Sequence, residues 1–234
     1  LNSREDIAFD QVEIFQKKEN KIINSKICSI AEIKNLNKQI SFEVEKDLQN
    51  ITIKKQNILG LKFDIPQLMG VLNITPDSFS DGGLFFEESK AYLQAKLMID
   101  SGAAIIDIGG ESTRPGSKIV DEKEEWERVK NTIIKFKKNF PKTLLSLDTR
   151  KSYVMNKGTQ NGIDIINDVS GLNFDKKSFN LINSKKIPFI LHHMQGTPDT
   201  MQNNPTYEDV LLDIFDFFEE KINFCIKQNY KKEF

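Results

Sequence analysis

From Gln67 onward the chain alternates between short apolar runs and longer stretches in which apolar residues recur every three or four positions. The runs are LMGVLN (68–73), AIIDI (104–108), TLLSLD (143–148), DIIND (164–168) and PFILHH (188–193). They have no solvent-facing alternation and most end in a polar residue, which is the pattern of strands buried in a parallel sheet. Between them, Ala91, Ala95 and Met98 share one helical face that stops near Gly102. A second helical stripe runs through Trp126, Val129, Ile133 and Phe136, with Asp121 and Glu124 placed as a capping box in front of it. A third passes through Leu211, Ile214, Phe218, Ile222 and Cys225, introduced by Thr206 and Asp209. Strands alternating with helices predict an α/β fold with helices covering a parallel sheet.

Residues 1–65 read differently. They are rich in Lys, Asn and Glu, with β-prone pieces at QVEIF (11–15), KIINSKI (21–27) and ITIKKQNI (51–58). The expected organisation is a small β-containing extension over 1–65, its lysines forming a solvated face, followed by a barrel domain over 66–234.

Two architectures fit the alternating part: an open doubly wound sheet and a closed TIM (β/α)8 barrel. Both bind ligands at the carboxyl ends of their strands. No G-x-G-x-x-G follows the first strand and no G-x-x-x-x-G-K-[ST] occurs, which removes the commonest nucleotide-binding open sheets. Each of the five runs carries a polar residue at or next to its carboxyl end, whereas an open sheet gathers them at one switch point. The expected fold is therefore a TIM barrel, of which this chain carries five of eight strands.

A barrel would bring Asn73, Asp107, Asp148, Asn167 with Asp168, and His192 with His193 to one mouth. This ring of amides, carboxylates and imidazoles contains no cysteine nucleophile and no Ser–His–Asp order. Two loops add to it. MGVLNITPDSFSDGG (69–83) starts as a strand and then packs far more hydrogen-bonding residues than a turn needs, with Phe79 alone among them. GGESTRPGSK (109–118) combines glycines that admit a ligand to the backbone with the Ser112 and Thr113 hydroxyls and the Arg114 fork, a set suited to phosphate. A plain Gly/Pro turn with a solvent-facing arginine is the competing reading. Asn73 could lend an amide oxygen to a hard cation such as Mg²⁺. Adjacent histidines in a strand point opposite ways, so joint ligation by His192 and His193 is not expected.

Composition narrows the partners. Thirty-three basic residues against thirty-four acidic ones give a formal charge of −1, which supplies no general field for nucleic acid or an anionic membrane. The apolar runs fall far short of the ~20 residues that span a bilayer, and no signal segment is visible at the start. Cys28 and Cys225 lack metal-ligand spacing and read as reduced thiols of a cytoplasmic protein, Cys225 as packing on its helix. The chain opens on Leu1 and closes on KQNYKKEF, so a fragment of a longer protein is expected.

With these stretches in view, the chain resembles the dihydropteroate synthases. MGVLNITPDSFSDGG, IIDIGGESTRPGS, SLDTRKSYV, IINDVSGL and HHMQGTPDTMQ match that family's strand-end motifs in order, over residues 67 to about 230. The resemblance implies condensation of 6-hydroxymethyl-7,8-dihydropterin diphosphate with 4-aminobenzoate to give 7,8-dihydropteroate and pyrophosphate, with Mg²⁺ and in a homodimer. Carried over by position, Asn73 would hold the Mg²⁺–pyrophosphate, Thr113 and Arg114 the phosphates, Pro115 and Phe79 the aminobenzoate, and Asp148 and Asn167 the pterin edge. The family's later motifs, of the types DPGFGFGK, SRK and RVHD, do not occur, and with them go further pterin and pyrophosphate contacts. The chain by itself is therefore expected to be inactive. Two other readings share some of these features: a methyltetrahydrofolate:corrinoid methyltransferase-like barrel, which needs no pyrophosphate loop, and a non-catalytic pterin-binding module.

Overall fold

The computed structural model of the chain describes residues 4, 6–18, 21–75, 84–112 and 119–231. It divides into two compact units, Leu1–Pro66 with Tyr207–Asp216, and Gln67–Thr206 with Phe217–Phe234.

In the first unit, β1 (Gln11–Lys18) and β2 (Lys21–Ser29) form an antiparallel pair, and a 3-10 turn (Ile30–Asn35) leads to α1 (Lys38–Thr52). Ser29 and Glu32 make the capping box of that turn, with the backbone N–H and hydroxyl of Ser29 both donating to Glu32 Oε2 at 2.8 Å. Asn37 caps α1 by accepting from the Gln39 N–H. The strand expected over 51–58 is not formed: α1 continues through Thr52, and a single bridge between Ile58 and Leu61 follows. Ile40, Val44, Leu48 and Ile51 recur at helical spacing, so the β-branched residues at 51–53 end a helix instead of opening a strand.

The second unit is built on β3 (Leu68–Asn73), β4 (Ala103–Gly109), β5 (Leu144–Asp148), β6 (Ile165–Asp168) and β7 (Phe189–Leu191). They form one parallel sheet in chain order, β3-β4-β5-β6-β7. With α2 (Leu84–Asp100), α3 (Glu122–Asn139), α4 (Ser152–Gln160) and α5 (Ser178–Lys185) in the crossovers, this is five consecutive units of a (β/α) barrel. A doubly wound sheet would show a reversal of strand order, and there is none among the described strands.

Period-2 alternation divides each strand between two surfaces. Leu72, Ile106, Ile108, Leu145, Leu147 and Ile166 point to the helix side and are at most 1% exposed. They join Ala91 and Ala95 of α2, Val129, Ile133 and Phe136 of α3, Val154 and Met155 of α4 and Ile182 of α5 in one core. Their neighbours in sequence, Val71, Asn73, Asp107, Gly109, Ser146, Asp148 and Asn167, fall on the opposite face. That face is polar where the helix side is apolar, and it carries the site.

Two local expectations shift. Asp121 caps α3 by accepting from the Lys123 N–H, but Glu124 pairs with Arg128 at 2.6 Å and does not complete a capping box. On α6 (Val210–Lys227), Asp209 caps as expected, accepting from Leu211 and Leu212 N–H. In its second half the predicted stripe holds at Cys225 and not at Ile222, and Phe217 and Phe224 beside the stripe make ring contacts. Phe217 stands edge-on to His193, Phe224 meets Phe179 at 4.8 Å between centroids, and Cys225 is buried, while Ile222 is exposed. Among the described residues no helix is long and apolar enough to cross a membrane.

Candidate functional site

Asn73, Gly109, Asp148, Asn167 and Ile190 are successive Cα partners across β3 to β7, so they stand at one level near the carboxyl ends of the strands. Gly109 keeps that level open. A Cβ there would lie 3.2 Å from Asn73 Oδ1 and 3.5 Å from Asp148 Oδ2, so amide oxygen and carboxylate border the same notch. The next residue, Gly110, lets α3 approach the strand end: its Cβ would stand 2.8 Å from Val129 Cγ1 and 2.9 Å from the Glu125 carbonyl oxygen.

One pleat below lie Asp107 and Ser146, themselves register partners and both buried. Asn167 Nδ2 donates to Asp107 Oδ2 at 2.9 Å, and His192 Nε2 is 2.6 Å from Asn167 Oδ1. Asp107 Oδ1 and Ser146 Oγ are buried without a hydrogen-bond partner among the described residues. Burial raises the Asp107 pKa against the opposing pull of the Ser146 hydroxyl (outside hydrogen-bonding geometry), the Asn167 amide and His192. Asp148 is pushed further, up to about 8, by burial first and then by the negative charges of Asp107, Glu125, Asp168 and Glu111. At neutral pH the ligand-free site therefore holds a protonated acid beside an amide.

Asp168, grouped with Asn167 in the sequence reading, has a different task. Its Oδ1 accepts from the N–H and hydroxyl of Ser170 and its Oδ2 from the Leu172 N–H, so it ties down the loop after β6. The histidines fall just past β7, not within it. His192 reaches Asn167 and His193 packs on Phe217.

A buried charge network closes the rim between the second and third strand ends. Glu111 accepts from Arg150 Nε at 3.1 Å, Lys151 Nζ at 2.9 Å and the Val120 N–H at 2.8 Å. Lys151 Nζ also donates to Glu125 Oε2 of α3 at 2.5 Å. Burial pushes the Glu111 pKa up, but the Val120 N–H and the Lys151 and Arg150 cations outweigh it, leaving the carboxyl below its usual range. Glu125 is displaced the other way, its burial outweighing Lys151. Arg128 Nη1 donates to the Gly110 carbonyl, and Arg150 lies 4.1 Å over the Phe174 ring. These contacts fix Gly110, Glu111 and Val120.

Of the predicted site residues, Asn73, Asp148 and Asn167 are brought to one level. Phe79, Thr113, Arg114 and Pro115 lie outside the described residues. The Glu111–Lys151–Glu125 network escaped the sequence reading, although a signal existed. Glu125 precedes Val129 by four positions, which puts it on the core face of α3, and a carboxylate on such a face needs a cation. Among the described residues no three His, Cys, Asp or Glu side chains converge as metal ligands.

A flat polar heterocycle suits this arrangement. The acid and amide can read its edge, the notch at Gly109 gives room beside it, and among the described residues Asn73, Asp148 and Asn167 offer no nucleophile at that level. Residues 69–233 match the family profile described as pterin binding enzyme. The chain belongs to that family. It is similar to the dihydropteroate synthase of Haemophilus influenzae, with 42% identity over 173 residues that cover 74% of this chain and 62% of that protein. Among solved structures it is similar to Yersinia pestis dihydropteroate synthase with a sulfonamide drug complex, at TM-score 0.68 and 40% identity, covering 76% of this chain and 64% of that one. A second, Xanthomonas albilineans dihydropteroate synthase with 4-aminobenzoic acid, matches at TM-score 0.67 and 35% identity over 74% of this chain and 60% of that one. This pterin-binding-family chain thus spans less than two thirds of the length of these relatives.

Proposed function

We propose that the chain carries the strand-end pterin site of a dihydropteroate synthase, serving the condensation of 6-hydroxymethyl-7,8-dihydropterin diphosphate with 4-aminobenzoate. The observation that carries this reading is the single level shared by Asn73, Gly109, Asp148 and Asn167. A pterin presents adjacent N–H donors and ring acceptors on one edge. An ionised Asp148 would accept two of those donors, and the Asn167 amide would both donate and accept.

The reaction needs alignment and charge stabilisation more than covalent chemistry. Pyrophosphate leaves a methylene joined to an electron-rich ring, the positive charge that develops is shared with the pterin, and the neutral aniline adds to the carbon. Thr113 and Arg114 would bind the phosphate oxygens, and Phe79 and Pro115 would hold the aminobenzoate against the methylene. Asn73 fits a role beside a hard cation: it is exposed, its Oδ1 borders the open notch at Gly109, and Mg²⁺ keeps its waters and leans on substrate phosphates. Bound there, Mg²⁺ would offset the charge of the departing diphosphate. The same reading makes the enzyme a cytoplasmic homodimer. Cys28 and Cys225, both buried and unpaired, suit a reducing compartment.

The test is calorimetric titration of 6-hydroxymethylpterin and of its diphosphate onto the chain. Binding of both, stronger for the diphosphate, supports the reading. Absence of binding for either ring overturns it.

A further inference from the structure

The Asn167 amide is gripped from both sides by side chains to which the reaction above gives no role. Its Nδ2 donates to Asp107 Oδ2 at 2.9 Å, and its Oδ1 lies 2.6 Å from His192 Nε2. Asp107 is 3% exposed and Asn167 is 5% exposed, so solvent does not substitute freely for either contact. The nitrogen of the amide, not its oxygen, faces β4, where Asp107 Oδ2 accepts from it. The amide oxygen then faces His192, and it too can only accept. Nε2 of His192 must carry a hydrogen.

We infer that Asp107 and His192 are positioning residues that lock the Asn167 amide in one orientation and so determine which heterocycle edge the site accepts. The inference rests on the reading of Asn167 as a pterin contact. A primary amide has two N–H donors and two oxygen lone pairs; Asp107 and His192 occupy one of each. One donor and one lone pair remain, at fixed places, for the ligand. Turning the amide over would exchange them, and a ring edge with a fixed order of donors and acceptors would then meet donor with donor. That mismatch leaves buried polar groups unpaired, which is how a site rejects a near-isostere. The preferred ligand has an acceptor ring nitrogen next to an N–H or amino group. Ring systems with those two positions exchanged should be refused.

The lock can be read without a ligand. The chain has two histidines, so ¹⁵N–¹H correlation of the imidazoles, with His193→Gln to assign them, gives the tautomer of His192 directly. A hydrogen on Nε2 is expected. The Nδ1–H tautomer with bare Nε2 would require the reversed amide and overturn the inference. A second arm uses 6-hydroxymethylpterin as the probe. Asp107→Asn keeps an acceptor and His192→Gln keeps a donor, so both should bind within about threefold of the parent chain, whereas Asp107→Ala and His192→Leu should weaken binding by about tenfold, the value of one hydrogen bond. Equal losses in the conservative and truncating variants would overturn the positioning role. Hydrogen on Nε2 together with no pterin affinity in the parent chain would sink the pterin reading and leave the amide lock standing.

Discussion

Asp148 stands opposite Asn167 in the β5–β6 register, and only Gly109 separates it from Asn73 on its other side. An acid displaced to about 8 thus sits between two amides at the mouth of a parallel sheet. Folding has placed it there against its own preference, because burial and four neighbouring carboxylates all disfavour its charge.

That displacement has a measurable cost. The folded-state pKa of Asp148 lies above its unfolded value of about 4, so between about pH 4 and pH 8 the folded chain holds a proton there that the unfolded chain has released. Stability from this group therefore falls as pH rises through that window and is flat above it. Asp148→Asn removes the dependence. Denaturant unfolding of both proteins from pH 5 to 8 should show the wild type losing stability relative to the variant by roughly 1 kcal/mol per pH unit. A constant difference would contradict the assigned shift.

The strand pattern made most of the sheet legible. The runs at 68–73, 104–108, 143–148 and 164–168 agree with β3 to β6 to within one residue at each end, since a short apolar run bounded by polar residues leaves little ambiguity in its limits. The fifth run ends two residues early: β7 stops at Leu191, and His192 turns toward Asn167. α1 was hidden because its stripe of Ile40, Val44, Leu48 and Ile51 ends in β-branched residues and none of it is fully buried. In the site, the identities of Asp148 and Asn167 were readable from their places at strand ends. Their coupling to Asp107 and His192 was not, because it depends on contacts 60 and 25 residues apart in the chain.

The Glu111–Lys151–Glu125 network should respond asymmetrically. Lys151→Ala leaves two buried carboxylates without their shared cation and should cost about 3–5 kcal/mol. Glu125→Gln removes a carboxyl already biased toward its neutral form and should cost about 1 kcal/mol or less. Urea midpoints of the two variants provide the comparison, and equal losses would show that the cation is not the keystone.

Gly110→Ala should also destabilise. The added methyl meets a side-chain carbon and a backbone oxygen inside 3.0 Å, and α3 must move outward to admit it. A loss of about 1–3 kcal/mol is expected, as for other overpacked positions. A thermal melt unchanged from wild type would mean that α3 is not seated against the strand end.

On the proposed reading, Arg114 and Phe79 serve different parts of the ligand. Arg114→Ala should weaken binding of the pterin diphosphate by roughly 10- to 150-fold, a charge-assisted contact of about 1.5–3 kcal/mol, and leave the unphosphorylated pterin nearly unaffected. Phe79→Ala should spare both pterins and weaken 4-aminobenzoate. Calorimetry with the three ligands separates these outcomes, and equal loss of both pterins in Arg114→Ala would rule out a phosphate role.

The most direct measurement is proton release on pterin binding. A ring that donates two hydrogens to Asp148 needs it ionised, while the ligand-free acid is mostly protonated at pH 7. Titration of 6-hydroxymethylpterin at pH 7 in two buffers of different ionisation enthalpy should report release of nearly one proton per ring bound, fading above pH 8. Affinity should rise about tenfold per pH unit below that point. Asp148→Asn should bind more weakly and release none. Binding that is tight, independent of pH and free of proton release in the wild type would show that the pterin is not held by Asp148.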